Sequence, residues 1–208
     1  MNKPIIIIGN GGHALVLAEI LLLNHREILG YTAPSKGSNF FGLHYLGTDE
    51  VISTYDSTQV ELVLGVGSIQ PNNIRMKIFQ QFKERGYCFA NCIHPKTILS
   101  STANIQEGAQ IMAGVIIQPF VKIHQNVIVN TGVQIDHECE IFEHVHLAPG
   151  TVLSGNVQIE KNVHIGTGAK IIQSITIGEN SIVAAGAVVV KNIPMNSKVM
   201  GIPAKEVE

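Results

Sequence analysis

The chain has 208 residues, with Lys plus Arg 14 against Asp plus Glu 16 and a formal charge of −2. That balance supplies no field to draw in a polyanion, which argues against a nucleic-acid partner. Charged residues are only 14% and apolar residues 45%, so the chain is neither disordered nor a coiled coil, and with no Trp its core rests on Ile, Val, Leu and Ala. The longest apolar stretches, Ile5–Ile8 and Ala14–Leu23, are too short to span a bilayer, and Glu19 interrupts the second. The start shows no signal-peptide layout, and three cysteines (Cys88, Cys92, Cys139) make no disulfide framework. The expectation is a soluble, cytoplasmic protein with no membrane contact.

In chain order, Lys3–Ile8 predicts a buried parallel strand. A glycine-rich turn follows, then an apolar helical pattern over His13–Asn24. Glu27–Thr32 predicts a second strand, Gly47 to about Ser53 a short helix, Gln59–Gly65 a third strand and Asn73–Arg85 a second long helix. Strands alternating with helices indicate a small parallel α/β unit over 1–90.

From Ile93 onward the chain changes character. Stepping by six from Ile93 to Val189 meets Ile, Leu or Val at all 17 positions, without an insertion. The residue four further on is small or β-branched every time, from Thr97 through Val133 and Cys139 to Ala187. The residue before that is Gly or Asn in 10 of 16 hexads, the types that tolerate a left-handed corner. Period six fits neither helix nor flat sheet. It fits a coil with straight sides, one hexad per side and three sides per 18-residue turn, stacked as parallel strands. This β-helix is expected over 91–208, ending in a tail from 190 that Pro194 and Pro203 divert from the repeat.

Two segments carry chemistry. Asp136-His137-Glu138 lies between the inward residues Ile135 and Cys139, so its side chains face out. An exposed imidazole, ordinarily titrating near ~6.5, suits general-base work, and an adjacent carboxylate orients it and stabilises the imidazolium. The bland alternative is a surface histidine beside two acids. Gly9-Asn10-Gly11-Gly12-His13-Ala14 fits G-x-G-x-x-G/A between a strand and a helix, where backbone and helix N-terminus favour a phosphate. A nicotinamide reading needs an acid at the end of the second strand, and Gly30-Tyr31-Thr32-Ala33 has none. The alternative is a tight turn with no ligand.

The α/β unit opening on Ile8-Gly9-Asn10-Gly11-Gly12-His13-Ala14, the unbroken hexads containing Asp136-His137-Glu138-Cys139, and the ending Gly201-Ile202-Pro203-Ala204-Lys205 together resemble the bacterial sugar acetyltransferases. These are typified by sialic acid O-acetyltransferases and nucleotide 4-amino-sugar N-acetyltransferases. The resemblance covers essentially the whole chain. It implies a Rossmann-like N-terminal domain, a left-handed coil, a homotrimer, and acetyl-CoA as donor between neighbouring coils, with no metal. By the same resemblance His137 is the catalytic base and Glu138 its partner. His146, Gly155, Thr167 and Ala185 contact acetyl-CoA, the last three through backbone N–H groups. Gly11, Gly12, His13 and Gly67 hold the acceptor by its phosphate or its sugar, with Arg75 as a further sugar or phosphate contact. His164, one coil after His146, is read as part of a surface ladder. The family's acidic pair after the second strand is missing here. The favoured reaction is N-acetylation of a nucleotide-linked amino sugar, with O-acetylation of a sialic-type sugar as the alternative. A zinc carbonic-anhydrase-like site is a remote third reading, because no two of the nine histidines stand four apart and only His144, His146 and His137 offer ligands nearby.

Overall fold

A computed structural model describes residues 3–37, 41–68 and 73–207; Glu208, the last residue of the expected tail, lies outside them. The first unit is a parallel sheet of β1 (Ile5–Ile8), β2 (Ile28–Thr32), β3 (Tyr45–Gly47), β4 (Glu61–Leu64) and β5 (Cys88–Phe89), in the order β3-β2-β1-β4-β5. Helices α1 (Gly12–Leu23) and α2 (Asn73–Glu84) are the two expected ones, and the predicted short helix is a 3₁₀ turn over Asp49–Thr54. Ile5–Ile8 alternate between two clusters. Ile5 and Ile7 pack on α1 with Leu17, Ile20 and Leu21, while Ile6 and Ile8 pack with Leu62, Phe79 and Phe82 on the α2 side. Burial on both faces is why the four isoleucines form a continuous apolar run rather than an alternation.

The two outer strands were not expected. β3 and β5 are too short to show a periodicity, and each exists through pairing with a longer neighbour, Tyr31 with Tyr45 and Leu62 with Phe89.

From Cys92 the chain winds as two-residue strands in three parallel sheets. Each expected inward residue is the second of its strand, and from Ile111 to Val189 all are buried. Ile93 and Ile105 are only partly buried and Leu99 is exposed, because they form the first turn of the coil. Residues one turn apart stack in register, as in Ile117 over Ile135 over Leu153. The corner residue before each small position has positive φ from Gly108 to Gly186, including Glu138 (60°) and His144 (64°). The tail departs from expectation in one respect. Lys198–Met200 rejoins the coil beside Ile182–Val183, so another rung follows Pro194.

The three faces are distinct. The first carries Cys92, Gln110, Ile128, His146, His164, Ile182 and Lys198 at its outward positions. Its upper part is covered by α1, through Ala14, Leu17, Ala18 and Leu21 against Cys92, Met112 and Ile128. The second face presents Ile98, Ile116, Gln134, Val152, Lys170 and Val188, and the third Asn104, Lys122, Glu140, Gln158 and Thr176.

Candidate active site

Asp136, His137 and Glu138 form the corner between the second and third faces. His137 Nδ1 lies 3.1 Å from Glu138 Oε2, and the two side chains are 56% and 63% exposed. An ionised carboxylate only accepts, so Nδ1–H donates and the Nε2 lone pair is left for a substrate proton. Glu138 holds a left-handed backbone conformation that glycine or asparagine adopts at most other corners. A non-glycine residue there costs roughly 1–2 kcal/mol. That anomaly was a signal within the repeat which the sequence reading passed over.

Gly155 occupies the same corner one turn on, beneath the imidazole. A Cβ added there would stand 2.6 Å from both Cε1 and Nε2 of His137. The resemblance implies a donor contact through the Gly155 N–H; the structure adds that this residue must lack a side chain for His137 to sit where it does. At the corners that end from Asn126 to Gly186 the first N–H donates to the following turn and the third to the preceding one, as with Asp136 to Leu153 and Glu138 to Pro119. The second N–H takes no backbone partner, and at some corners, as at His137, it donates to a side chain instead. Gly155, Thr167 and Ala185 all hold that second position, and among the described residues their N–H groups donate to no backbone carbonyl. All three are therefore placed to donate to a ligand.

Thr167 and Ala185 sit at a different corner, between the first and second faces. They line a depression of about 280 Å³ with His164, Gly166, Ile182 and Lys198. His146 lies next to it on the first face. Its Nδ1–H donates to the Ser68 carbonyl, so Nε2 is the acceptor, 3.3 Å from Asn130 Nδ2. Burial first, then His164, push the His146 pKa down to about 3, so the ring is neutral. His164 pairs with His146 across adjacent strands, as the ladder reading expected, and meets it edge to face at 4.9 Å.

The glycine turn faces Gly65–Gly67 across a cleft of about 500 Å³, lined by Gly9 to His13, Pro34, Gly65, Val66 and Gly67. A Cβ on Gly11 or Gly12 would point into open space. Gly9 (φ 107°) and Gly65 instead serve packing: a Cβ on Gly65 would stand 2.7 Å from Ala14 Cβ, and one on Gly9 3.2 Å from the Gly65 backbone. His13 is fixed in place. The Gln110 amide nitrogen donates to the Leu64 carbonyl (2.9 Å), leaving Gln110 Oε1 to accept from His13 Nε2–H at 2.7 Å. Burial, then the Arg75 charge, hold the His13 pKa down to about 4.

A carboxylate reaches the end of β2 from elsewhere in the chain. Thr32 Oγ1 donates to Asp49 Oδ1 at 2.6 Å, so a carboxylate stands at the end of β2, delivered by the 3₁₀ turn. Sequence reasoning looked only along the strand and missed it.

His144 accepts at Nδ1 from Asn126 and lies edge-on to Phe79, away from His146. Among the described residues no three His, Cys, Asp or Glu side chains are grouped as metal ligands would be. Cys139 is buried with its thiol pushed up to about 11, which suits packing rather than nucleophilic attack.

Comparison with known proteins adds to this geometry. Residues 4–82 match the PglD N-terminal domain family, and residues 156–191 match the bacterial transferase hexapeptide family as six repeats. A histidine-to-asparagine mutant of perosamine N-acetyltransferase from Caulobacter crescentus, in complex with CoA and GDP-perosamine, is 30% identical with a TM-score of 0.93. The match covers 99% of this chain and 97% of that one. The acetyltransferase domain of PglB from Neisseria gonorrhoeae, in complex with acetyl coenzyme A, is 32% identical with a TM-score of 0.92, covering all of both chains. WeeI from Acinetobacter baumannii, at 23% identity and a TM-score of 0.84 over 99% of this chain and all of that one, shares the fold.

Proposed function

The chain belongs to the hexapeptide-repeat sugar acetyltransferases, and from that premise we propose that it N-acetylates a nucleotide-linked amino sugar at a site shared between two subunits. It is an acetyl-CoA-dependent enzyme. In this reading the cleft beside Gly11, Gly12, His13 and Gly67 holds the acceptor. The coil holds acetyl-CoA along His146, Thr167 and Ala185, and His137 with Glu138 and Gly155 comes from a neighbouring copy.

The observation that carries the shared site is the division of the groups among edges of the coil. His137, Glu138 and Gly155 stand at the corner opposite the first face, while His146, Thr167, Ala185 and the glycine cleft gather on or beside that face. A full face lies between the two sets in either direction around the coil. One protomer cannot close them on one substrate, and rotation about a three-fold axis can. The second face has the composition of such a contact, with Ile98, Ile116, Val152 and Val188 outward among Gln134 and Lys170.

The chemistry follows from the geometry. The neutral amine attacks the thioester carbon and the carbonyl becomes a tetrahedral oxyanion, received by an unused corner N–H such as that of Gly155. His137 Nε2 takes the proton the nitrogen sheds, and Glu138 stabilises the imidazolium. Collapse breaks the C–S bond, and the same proton passes to the departing thiolate. The products are the amide and CoA, with no covalent enzyme intermediate. His146 cannot share the base role, because its ring resists protonation and its Nδ1–H is committed to Ser68. Among the described residues no helix is long and apolar enough to cross a membrane, in keeping with a cytoplasmic enzyme using a soluble donor.

The test is complementation. His137→Ala and Gly11→Val subunits, each inactive alone, are mixed and reassembled into trimers. A site that draws His137 from one copy and its glycine loop from another regains about a quarter of wild-type activity in a random equal mixture. No recovery means that the loop and the base belong to one protomer and the shared-site reading fails.

A further inference from the structure

Phe120 is the bulkiest departure from the corner rule of the coil. From Gly108 to Gly186 the corner residue with positive φ is Gly or Asn except at Phe120 (62°), Glu138 (60°), His144 (64°) and Ser174 (58°). A bulky side chain in this backbone region is an outlier, and outliers persist where the surroundings hold them, often at functional sites. Here the Phe120 N–H donates to Thr102 Oγ1 at 3.1 Å, which pins the turn from the preceding coil. The side chain gains little burial in return, since it is 63% exposed. An aromatic ring held in a disfavoured backbone conformation and left in water contributes nothing to the core.

Its place in the coil gives it a use. Ile117 pairs with Ile135, so Pro119-Phe120 stacks one turn before His137-Glu138, and the Pro119 carbonyl accepts from the Glu138 N–H at 3.1 Å. Paired strands stand ~4.8 Å apart. Pro119, His137 and Gly155 thus share one column, and their backbone nitrogens differ. Proline has no N–H. The His137 N–H donates to Asp136 Oδ1 at 2.8 Å. The Gly155 N–H meets no backbone carbonyl among the described residues. In this column a free hydrogen-bond donor therefore stands on the Gly155 side of the base. The other side presents carbon, from the rings of Pro119 and Phe120.

Height along the coil orders the ligands the same way. The α/β unit meets the coil between Cys92 and His146, where α1 docks, His13 reaches Gln110 and His146 reaches Ser68. The depression with Thr167 and Ala185 lies further on, between His164 and Lys198. Rotation about an axis parallel to the coil keeps these heights. Phe120 then stands level with the glycine cleft of a neighbouring copy, and Gly155 on the way to the donor.

We propose that Phe120 is a specificity-determining residue for the acceptor. With Pro119 it forms an apolar platform on which the C–H face of the amino sugar lies while the amine meets His137 Nε2. A pyranose presents such a face, and its carbon-bound hydrogens are attracted to the negative face of an aromatic ring. The inference rests on the shared-site reading and goes beyond it by selecting among acceptors. A neutral amino sugar fits the platform, whereas a sialic acid would bring a carboxylate against carbon that offers it no partner.

Steady-state kinetics on the intact protein test it, with acetyl-CoA as donor, GDP-, UDP- and dTDP-linked 4-amino-4-deoxy sugars as acceptors, and free sialic acid for comparison. Phe120→Asn restores the residue found at the Asn126 and Asn156 corners, so its melting temperature should be no lower than wild type. It is expected to raise KM for the amino sugar by about 3- to 10-fold with kcat little changed, because a stack made equally before and during reaction is uniform binding. KM for acetyl-CoA and the Kd of the bare nucleoside diphosphate stay as in wild type. Phe120→Tyr keeps the ring and restores the wild-type KM. Phe120→Gly, with the most permissive backbone, carries the same expectation as Phe120→Asn and decides the matter should the latter fail to fold. An unchanged amino-sugar KM overturns the proposal. So does a raised acetyl-CoA KM alone, which gives the ring to the donor, or a trimer lost in light scattering, which makes it a subunit contact. A wild type that prefers free sialic acid, or acetylates none of the amino sugars, overturns the proposed reaction and this inference together. A normal wild type beside an unaffected Phe120→Asn overturns the platform alone.

Discussion

The coil and the α/β unit carry their chemistry in opposite ways. In the coil every residue's surroundings repeat each 18 positions, so the proposed site stands out as a departure from the rule: a glutamate with positive φ at Glu138, a glycine where a Cβ would strike a ring at Gly155. In the α/β unit nothing repeats, and the site is assembled from ends of elements remote in sequence, such as Gln110 reaching Leu64 and His146 reaching Ser68. A periodic scaffold offers free N–H groups at fixed corners for a long ligand to run along. An aperiodic one offers a single shaped cleft with an internal charge.

The comparison is broken most severely at His137. His137→Ala removes the proposed base and should lower kcat by about 10²–10⁴ while leaving acetyl-CoA affinity nearly intact, read from steady-state transfer and calorimetry. Glu138→Gln keeps the shape and loses the charge, so its loss should be the smaller of the two. A wild-type rate in His137→Ala would leave the coil with a binding role only.

Gly155→Ala sharpens the point that repeat departures are functional. The added methyl group meets His137 at 2.6 Å and must displace the imidazole. An ångström-scale misplacement costs up to about 100-fold in rate. Thermal melting should barely change, because the nearest atoms the methyl group meets belong to the exposed His137 ring rather than to a core side chain. A fully active Gly155→Ala would show that the ring has slack.

The smallest effect concerns acid. His13, His144 and His146 are held neutral by burial, near 4, 4 and 3, whereas in the unfolded chain each takes a proton near ~6.5. Their folded values are lowered, so the unfolded state binds more protons below that pH. Stability should be complete above about 6.5 and decline as pH falls toward 4, each histidine steepening the slope by at most about 1.4 kcal/mol per unit. Urea midpoints at pH 7, 6 and 5 measure this. His144 stacks in a corner column with Asn126, Asn162 and Asn180, all at positive φ. His144→Asn should fold with unchanged neutral stability and a shallower acid slope, whereas a steeper slope would show that this histidine does not set it.

Reading ahead of the structure succeeded where environment follows from local spacing. The inward isoleucines, the exposed Asp136-His137-Glu138 corner and the glycine turn before α1 were legible, because two-residue strands and tight turns are dictated by neighbours in the chain. β3 and β5 were not, since a strand of two or three residues exists only through its partner. Asp49 escaped because the search for an acid followed β2 alone.

The sequence by itself determined the register of the coil and the inward and outward sense of nearly every residue in it. A period of six leaves only one buried arrangement for those aliphatic side chains. The tertiary structure alone decided which residues lie together: that His137 lies a face away from His146, that His146 is locked to Ser68, and that Arg75 is buried against the carbonyls of Leu64 and Val66. Those relations join residues tens of positions apart through burial and hydrogen bonding. They arise only when α1 docks on the first face and excludes water from the polar groups between.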